Sequence, residues 1–233
     1  MAMLVAGATL LPPSMKHSAY KTVPGGLVAY QKFKAKELVE QANEQKNPLN
    51  ERWFDDVPIP EALPIIIECC KPKCCNTDSL DDMLSILCDN MKDFYKQSSW
   101  KWDADLKREE AFSPKSWLLI CRVRENESSQ LPLIAGFVSF RFEREMERPV
   151  LYCYEIQLRD RYRGRSIGRC LMNILSLIAK NSKMTSIMLT VFKFNERALR
   201  FFQNLGFVKD ESDPSNFEEN PKMDYLIMSK RIT

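Results

Sequence analysis

The segment Arg163-Gly164-Arg165-Ser166-Ile167-Gly168 separates an apolar run at residues 150–158 from a helical pattern that starts at Ile167. A basic, glycine-bearing turn that opens a helix points backbone N–H groups and positive charge at one place, which is the chemistry of an anion site. The pyrophosphate of a coenzyme suits it best. Taken alone, such a turn also reads as a solvated face. Glu155 is the second group with chemical promise, because it is the one charged residue of the apolar run. A buried carboxylate is costly unless hydrogen-bonded or protonated, and burial lifts its pKa toward the range of a working base. The plain alternative is a strand carboxylate paired with one of the arginines.

The elements that must position these groups show in the hydrophobic pattern. Runs at 65–69, 117–123, 133–142, 150–158, 187–191 and 225–228 read as strands. The three in the middle are separated by polar turns and form an antiparallel meander. Leu80, Leu84, Leu87, Met91, Phe94 and Tyr95 keep helical spacing behind a cap at Asp78-Ser79. A charged helix fits 103–112. Ile167, Leu171, Ile174, Leu175 and Ile178 define an amphipathic helix, and 198–205 another. The order implies a mixed sheet carrying helices, an α/β (α+β) domain. Tyr30, Phe33, Leu38 and Val39 suit a further helix, ended by Asn47-Pro48, and Pro58, Pro60 and Pro64 mark a linker. The domain organisation expected is a mobile or loosely docked tail over 1–29, with Pro12, Pro13, Pro24 and Gly25-Gly26, a helical extension and linker over 30–64, and one catalytic domain over 65–233.

The 233 residues suffice for one domain and an extension, and 45% hydrophobic content supplies a core. With 34 basic and 31 acidic residues and no basic run interleaved with aromatics, direct nucleic-acid binding has no support. Residues 1–11 are apolar but lack a basic start and a cleavage pattern, so no signal peptide is expected, and no window is long enough for a membrane span. The eight cysteines are uneven, four of them in Cys69-Cys70-Lys71-Pro72-Lys73-Cys74-Cys75, and read as reduced thiols of an intracellular protein. Adjacent cysteines make awkward tetrahedral ligands and the one histidine, His17, is distant, so no metal is expected.

The basic turn together with Asn195-Glu196-Arg197-Ala198-Leu199-Arg200-Phe201-Phe202 and Leu205-Gly206-Phe207 resembles the acetyl-CoA-binding motifs of the GNAT superfamily of N-acetyltransferases. Residues 90–102, Phe140-Arg141-Phe142-Glu143 and Val150-Leu151-Tyr152-Cys153-Tyr154-Glu155 resemble its histone-directed N-terminal acetyltransferase D branch. The resemblance runs from about residue 65 to the end. It implies the GNAT acyl-CoA N-acyltransferase fold, a mixed twisted sheet with a bulged central strand and helices on both faces. It implies acetyl-CoA as cosubstrate, held by the main chain of Ile156, Gln157 and Leu158, by Arg163, Gly164, Arg165, Ser166, Ile167, Gly168 and Arg169, and by Asn195 and Phe201.

Two positions depart from the family pattern. Ser166 stands where the middle glycine of the turn is expected, and a non-glycine residue at positive φ costs roughly 1 to 2 kcal/mol. Phe202 stands where a tyrosine often reprotonates the leaving thiolate, although a thiol of pKa near ~8.5 can leave unaided.

The catalytic group the resemblance implies is Glu155 as base with Tyr152 and Tyr154 beside it. Strict alternation puts both tyrosines on the opposite face from Glu155, so the three converge only through a β-bulge. The implied substrate side is Tyr95, Trp100, Glu143, Tyr154, Thr190, Ser212 and Tyr225, each equally readable as packing or loop. The implied substrate is the serine α-amine of a chain beginning Ser-Gly-Arg-Gly, the shared start of histones H4 and H2A. Glu143, Glu145 and Glu147 and the loop with Asp210, Glu211, Asp213, Glu218, Glu219 and Asp224 offer charge for its basic residues. The same resemblance suggests a monomer, ribosome association, and work in nucleus and cytoplasm. Two other readings stay open: a lysine or small-amine acetyltransferase of the same superfamily, and a non-catalytic module that binds acetyl-CoA or a histone tail.

Overall fold

The computed structural model describes residues 3–4, 25–50, 52, 57–60, 64–124, 132–217 and 223–232. Pro12, Pro13, His17, Pro24, Glu218 and Glu219 lie outside the described residues. The elements in chain order are β1 (Met3–Leu4), α1 (Gly25–Asn43), β2 (Ile65–Cys70), α2 (Thr77–Gln97), α3 (Ala104–Ala111), β3 (Trp117–Val123), β4 (Leu133–Glu145) and β5 (Arg148–Leu158). They continue with α4 (Ile167–Asn181), β6 (Ser186–Phe192), α5 (Glu196–Asn204), β7 (Val208–Lys209) and β8 (Tyr225–Arg231).

One sheet runs in the order β2-β3-β4-β5-β6-β8-β7, with β1 on β5. The β2–β5 meander is antiparallel, as alternating strands and short turns dictate. Among the described strands only β5 and β6 are parallel, and α4 makes the crossover that a parallel pair requires. That pairing covers just Val150–Cys153 against Ser186–Leu189. Beyond Cys153 the two strands part, and in the gap Met3 and Leu4 pair with Ile156 and Glu155.

Local chemistry accounts for most boundaries. The apolar positions of α4 are buried together against the sheet, as their spacing demands. Asp103 caps α3 by accepting from the N–H groups of Asp105 and Leu106, at 3.0 Å each. In α2 the cap is Asn76, whose Oδ1 accepts from Ser79 N at 2.9 Å, rather than Asp78-Ser79, which fall inside the first turn. Asn76 is the residue with extended φ/ψ, and only such a residue can turn its side chain back on the helix start. Helix α1 begins at Gly25, five residues ahead of the expected Tyr30. Its C-terminal end is fastened to the sheet by Asn43 Nδ2 donating to Phe142 O at 3.1 Å.

Candidate active site

The site is built on a one-residue irregularity in β5. Ser139 pairs with Glu155 while the next residue of β4, Phe140, pairs with Cys153, so Tyr154 is one extra residue of β5 between the two pairs. This is the β-bulge on which the sequence reading depended. Cross-strand partners share a face of the sheet. Ser139 is opposite Glu155 and Arg141 opposite Tyr152, and both β4 side chains reach α3, Ser139 Oγ to Ala111 O at 2.6 Å and Arg141 to Glu110 O. Glu155 and Tyr152 therefore face the same way, and Tyr154 joins them, its ring under the Arg141 guanidinium. The Tyr152 and Tyr154 rings lie 5.2 Å apart.

Glu155 is fully buried, and its partner is a lysine rather than an arginine. Lys107 Nζ lies 3.1 Å from Oε1, while Gln157 Nε2 donates to Oε2 at 2.9 Å. Lys107 also bonds Glu110 and sits over the Tyr95 ring, 4.7 Å from its centroid. Burial pushes the Glu155 carboxyl up, Lys107 and Gln157 pull it down, Glu110 pushes it up again, and it comes to rest at about 7. Lys107 is held well above the ordinary lysine value, because the neighbouring acids outweigh its burial. The lysine is charged, and the carboxylate is poised to take a proton near neutral pH.

A chain of amides ties this group to the basic turn. Gln157 Oε1 accepts from Asn90 Nδ2 at 3.0 Å, the same nitrogen donates to Leu158 O at 3.0 Å, and Asn90 Oδ1 accepts from Arg163.

Two walls flank the carboxylate. On one, Tyr154 Oη donates to Glu143 Oε1 at 2.7 Å, Tyr152 and Thr190 hydroxyls meet at 2.6 Å, and the Arg141 guanidinium stacks on Tyr154 at 3.9 Å. On the other, Trp100 packs on Tyr225 with centroids 4.8 Å apart, and Phe192 joins both Trp100 and Tyr95. The hydroxyls of Tyr95 and Tyr225 are buried without a hydrogen-bond partner among the described residues. Such orphaned groups are expensive unless something else bonds them.

The structure thus brings together Glu155, Tyr152, Tyr154, Glu143 and Thr190, and next to them Tyr95, Trp100 and Tyr225. Ser212 stands apart: its hydroxyl and N–H both go to Asp210 Oδ1, which also holds Arg148 at 2.8 Å. The acids suggested for a basic peptide are largely committed elsewhere. Glu147 pairs with Lys32 and Arg144, Glu211 with Arg148, and Asp213 accepts from Ile227 N at 2.6 Å. A cleft of about 670 Å³ opens beside Glu143, but Lys71, Lys115, Arg141 and Arg144 line it, so it is no path for a basic tail.

At the turn, Gly164 has φ +73° and Ser166 φ 62°, ψ 0°. Ser166 is left-handed, the conformation its missing glycine would favour. No side chain caps α4 and no acid lies in its first turn, which leaves the N–H groups of its start to an outside acceptor. Arg165, Ser166 and Arg169 are exposed, while Ile167 and Gly168 are buried. Asn195 is buried and spends Oδ1 on Ala198 N at 3.2 Å as the cap of α5. Phe201 is partly buried and Phe202 fully, the latter packed on Phe207 at 5.6 Å, so neither offers an acid. The ladder position at Ile156, assigned to the coenzyme, faces Met3. Among the described residues no cluster of three His, Cys, Asp or Glu is placed to hold a metal, and Cys70 and Cys75 are free thiols 3.4 Å apart. No helix among them is long and apolar enough to cross a membrane.

Sequence reasoning missed Lys107, Glu110, Asn90 and the side chain of Gln157. The available signal was that Lys107, Glu110 and Ala111 fall at i, i+3 and i+4 of one short helix, hence on one face.

The profile described as Acetyltransferase (GNAT) family matches residues 80–207, more than half of the chain, and the chain belongs to that family. A stretch of 78 residues is 32% identical to N-alpha-acetyltransferase 40 of Saccharomyces cerevisiae, taking in 30% of this chain and 27% of that protein. The match thus spans about a quarter of the relative's length. Among solved structures, Arabidopsis thaliana NAA60 in complex with acetyl-CoA superposes with a TM-score of 0.53 at 13% identity, over 72% of this chain and 98% of that one. The NatC complex bound to Gag peptide and CoA gives 0.53 at 15% identity, over 73% of this chain and 100% of the other. At these identities the likeness is one of fold.

Proposed function

We propose that this chain is an N-α-acetyltransferase that moves acetyl from acetyl-CoA to a chain terminus, with the serine of a Ser-Gly-Arg-Gly start, as in histones H4 and H2A, as the substrate. The observation that carries the reading is the Tyr154 bulge, which puts a buried carboxyl poised at about 7 on the same face as two tyrosines. The two solved relatives described above are bound to acetyl-CoA and to peptide with CoA, and the stretch similar to N-alpha-acetyltransferase 40 supports α-amine chemistry. The turn fits the coenzyme, since its helix start is uncapped and free of acids and Arg163, Arg165 and Arg169 surround it.

Bound acetyl-CoA supplies an acyl thioester, an electrophile that a neutral amine attacks. The protein's work is to deliver that amine unprotonated. An α-amine of pKa about 8 is roughly 10% neutral at pH 7, against about 0.04% for lysine at 10.4, so a base of modest strength suffices. Glu155 takes the proton as the C–N bond forms, and the thioester C–S bond breaks with the sulfur leaving as a thiolate that is protonated by solvent. Tyr152, Tyr154 and Thr190 wall the first residue of the substrate, Glu143 holds the Tyr154 hydroxyl at 2.7 Å, and Tyr95, Trp100 and Tyr225 exclude water and offer two unsatisfied hydroxyls. Histone substrates imply work in the cytoplasm, where chains are made, and in the nucleus.

The test is mass spectrometry of a peptide that begins Ser-Gly-Arg-Gly and carries a lysine further along, after incubation with enzyme and acetyl-CoA. One acetyl group on the free terminus, and none when the terminus is blocked, is the result expected. Acetylation that persists on the blocked peptide overturns the α-amine assignment in favour of lysine.

A further inference from the structure

We infer that Lys107 and Glu110 form a buried charge relay on α3 that sets the protonation of Glu155, Lys107 keeping the base ionised and Glu110 restraining it. The inference rests on the reading of Glu155 as the base. Lys107 is 4% exposed and sends its ammonium to two carboxylates at once, Glu155 Oε1 at 3.1 Å and Glu110 Oε2. A lysine is rarely buried unless paired, and one shared between two acids leaves that trio with one negative charge in excess. A single proton can therefore reside there without the trio becoming positive.

The surroundings fix which carboxylate receives it. Glu110 is at the rim, 11% exposed at its side chain, whereas Glu155 is sealed. Burial penalises charge most at Glu155. The other groups facing the Glu155 carboxyl are Tyr95 from α2, whose phenol pKa burial drives upward, and Gln157 on β5, while the Cys153 thiol reaches only the Glu155 main-chain oxygen. None of them is a second cation. Arg141 on β4 is spent on Glu110 O, Ser116, the Glu143 carboxylate at 3.9 Å and the Tyr154 ring. Lys107 is thus the one positive charge among the described residues in direct contact with Glu155.

Arg141 and Ser139 pin α3 to β4 through the carbonyls of Glu110 and Ala111, which holds the Lys107 side chain in line with the bulge. The role is one of positioning and tuning, since Lys107 has no need to touch the substrate to exert it.

Opposite shifts by two variants test the relay. Infrared titration of the carboxyl band that Glu155→Gln abolishes reads the Glu155 proton directly, and the pH dependence of kcat/KM reads its consequence. The amine's own titration is common to every variant. Lys107→Met should move the Glu155 midpoint upward by about one pH unit or more, the effect of losing an opposite charge at this range, and slow turnover about tenfold below neutral pH. Glu110→Gln should move it downward. A midpoint unmoved by either variant, or moved the same way by both, overturns the relay. If Lys107→Met does not fold, the Glu110→Gln shift decides alone. Because the infrared band is read without substrate, an unshifted band refutes the relay, while full activity of Glu155→Gln refutes the base assignment and leaves the band to be read.

Discussion

Gln157 donates to Glu155 at 2.9 Å while its own carbonyl accepts from Asn90 at 3.0 Å, so the orientation of the Glu155 carboxyl is fixed from α2. Every hydrogen bond in that line has one sense: Asn90 can donate only with its nitrogen toward Gln157 because its oxygen already receives Arg163. The arrangement leaves Gln157 no freedom to flip.

Asn90→Ala removes two donors that serve buried acceptors, Gln157 Oε1 and Leu158 O. Stranding buried polar groups costs about 1 to 3 kcal/mol, and that loss should appear in urea denaturation. Turnover should fall with it, because the Gln157 amide can then turn its oxygen toward Glu155.

The left-handed Ser166 carries a strain that glycine would relieve. A non-glycine residue there costs roughly 1 to 2 kcal/mol, against roughly 0.5 to 1 kcal/mol of extra chain entropy that glycine gives up on folding. Ser166→Gly should therefore stabilise by about 0.5 kcal/mol. Gly164→Ala should do the reverse by a similar amount, about 0.5 kcal/mol, since a Cβ there meets nothing within 4 Å and only the φ of +73° resists it. Thermal unfolding of the two variants side by side checks the opposed signs.

Asp210 governs acid stability at the far end of the sheet. Burial works to raise its pKa, but hydrogen bonds from Arg148, Ser229 and Ser212 prevail and bring it down from 3.8 to about 2. With the folded value below the unfolded one, the carboxylate's contribution is complete above about pH 4 and is lost as pH falls toward 2. Asp210→Asn should cost about 2 kcal/mol at pH 7, and the gap to wild type should close over that interval in denaturant titrations.

How far the sequence foretold this depends on how local each feature is. The apolar spacing of α4, the exact limits of β3 and the position of Glu155 in β5 followed from neighbours in the chain, and the structure has them. Ser166 was visible as a residue out of pattern, and its φ follows from the turn. The bulge could not be read from alternation, which put Tyr154 and Glu155 on opposite faces; only family resemblance suggested it. Lys107 was hidden because a helix of mixed charge looks solvated until α3 is laid over the bulge. Asn195, given to the coenzyme by resemblance, has its side-chain oxygen on Ala198 N as the cap of α5. Resemblance assigns Ser212 to the substrate and charge alone suggests the acids around it, while the fold binds Asp210 to Arg148 and Asp213 to β8.

The most direct test is the turnover of Glu155→Gln with acetyl-CoA and a Ser-Gly-Arg-Gly peptide, alongside coenzyme binding by calorimetry. The amide keeps the size and the Gln157 contact but cannot accept the amine's proton. A drop of about 10² to 10⁴ in kcat with coenzyme affinity retained is the expected result. Undiminished turnover would contradict the assignment of Glu155 as the base.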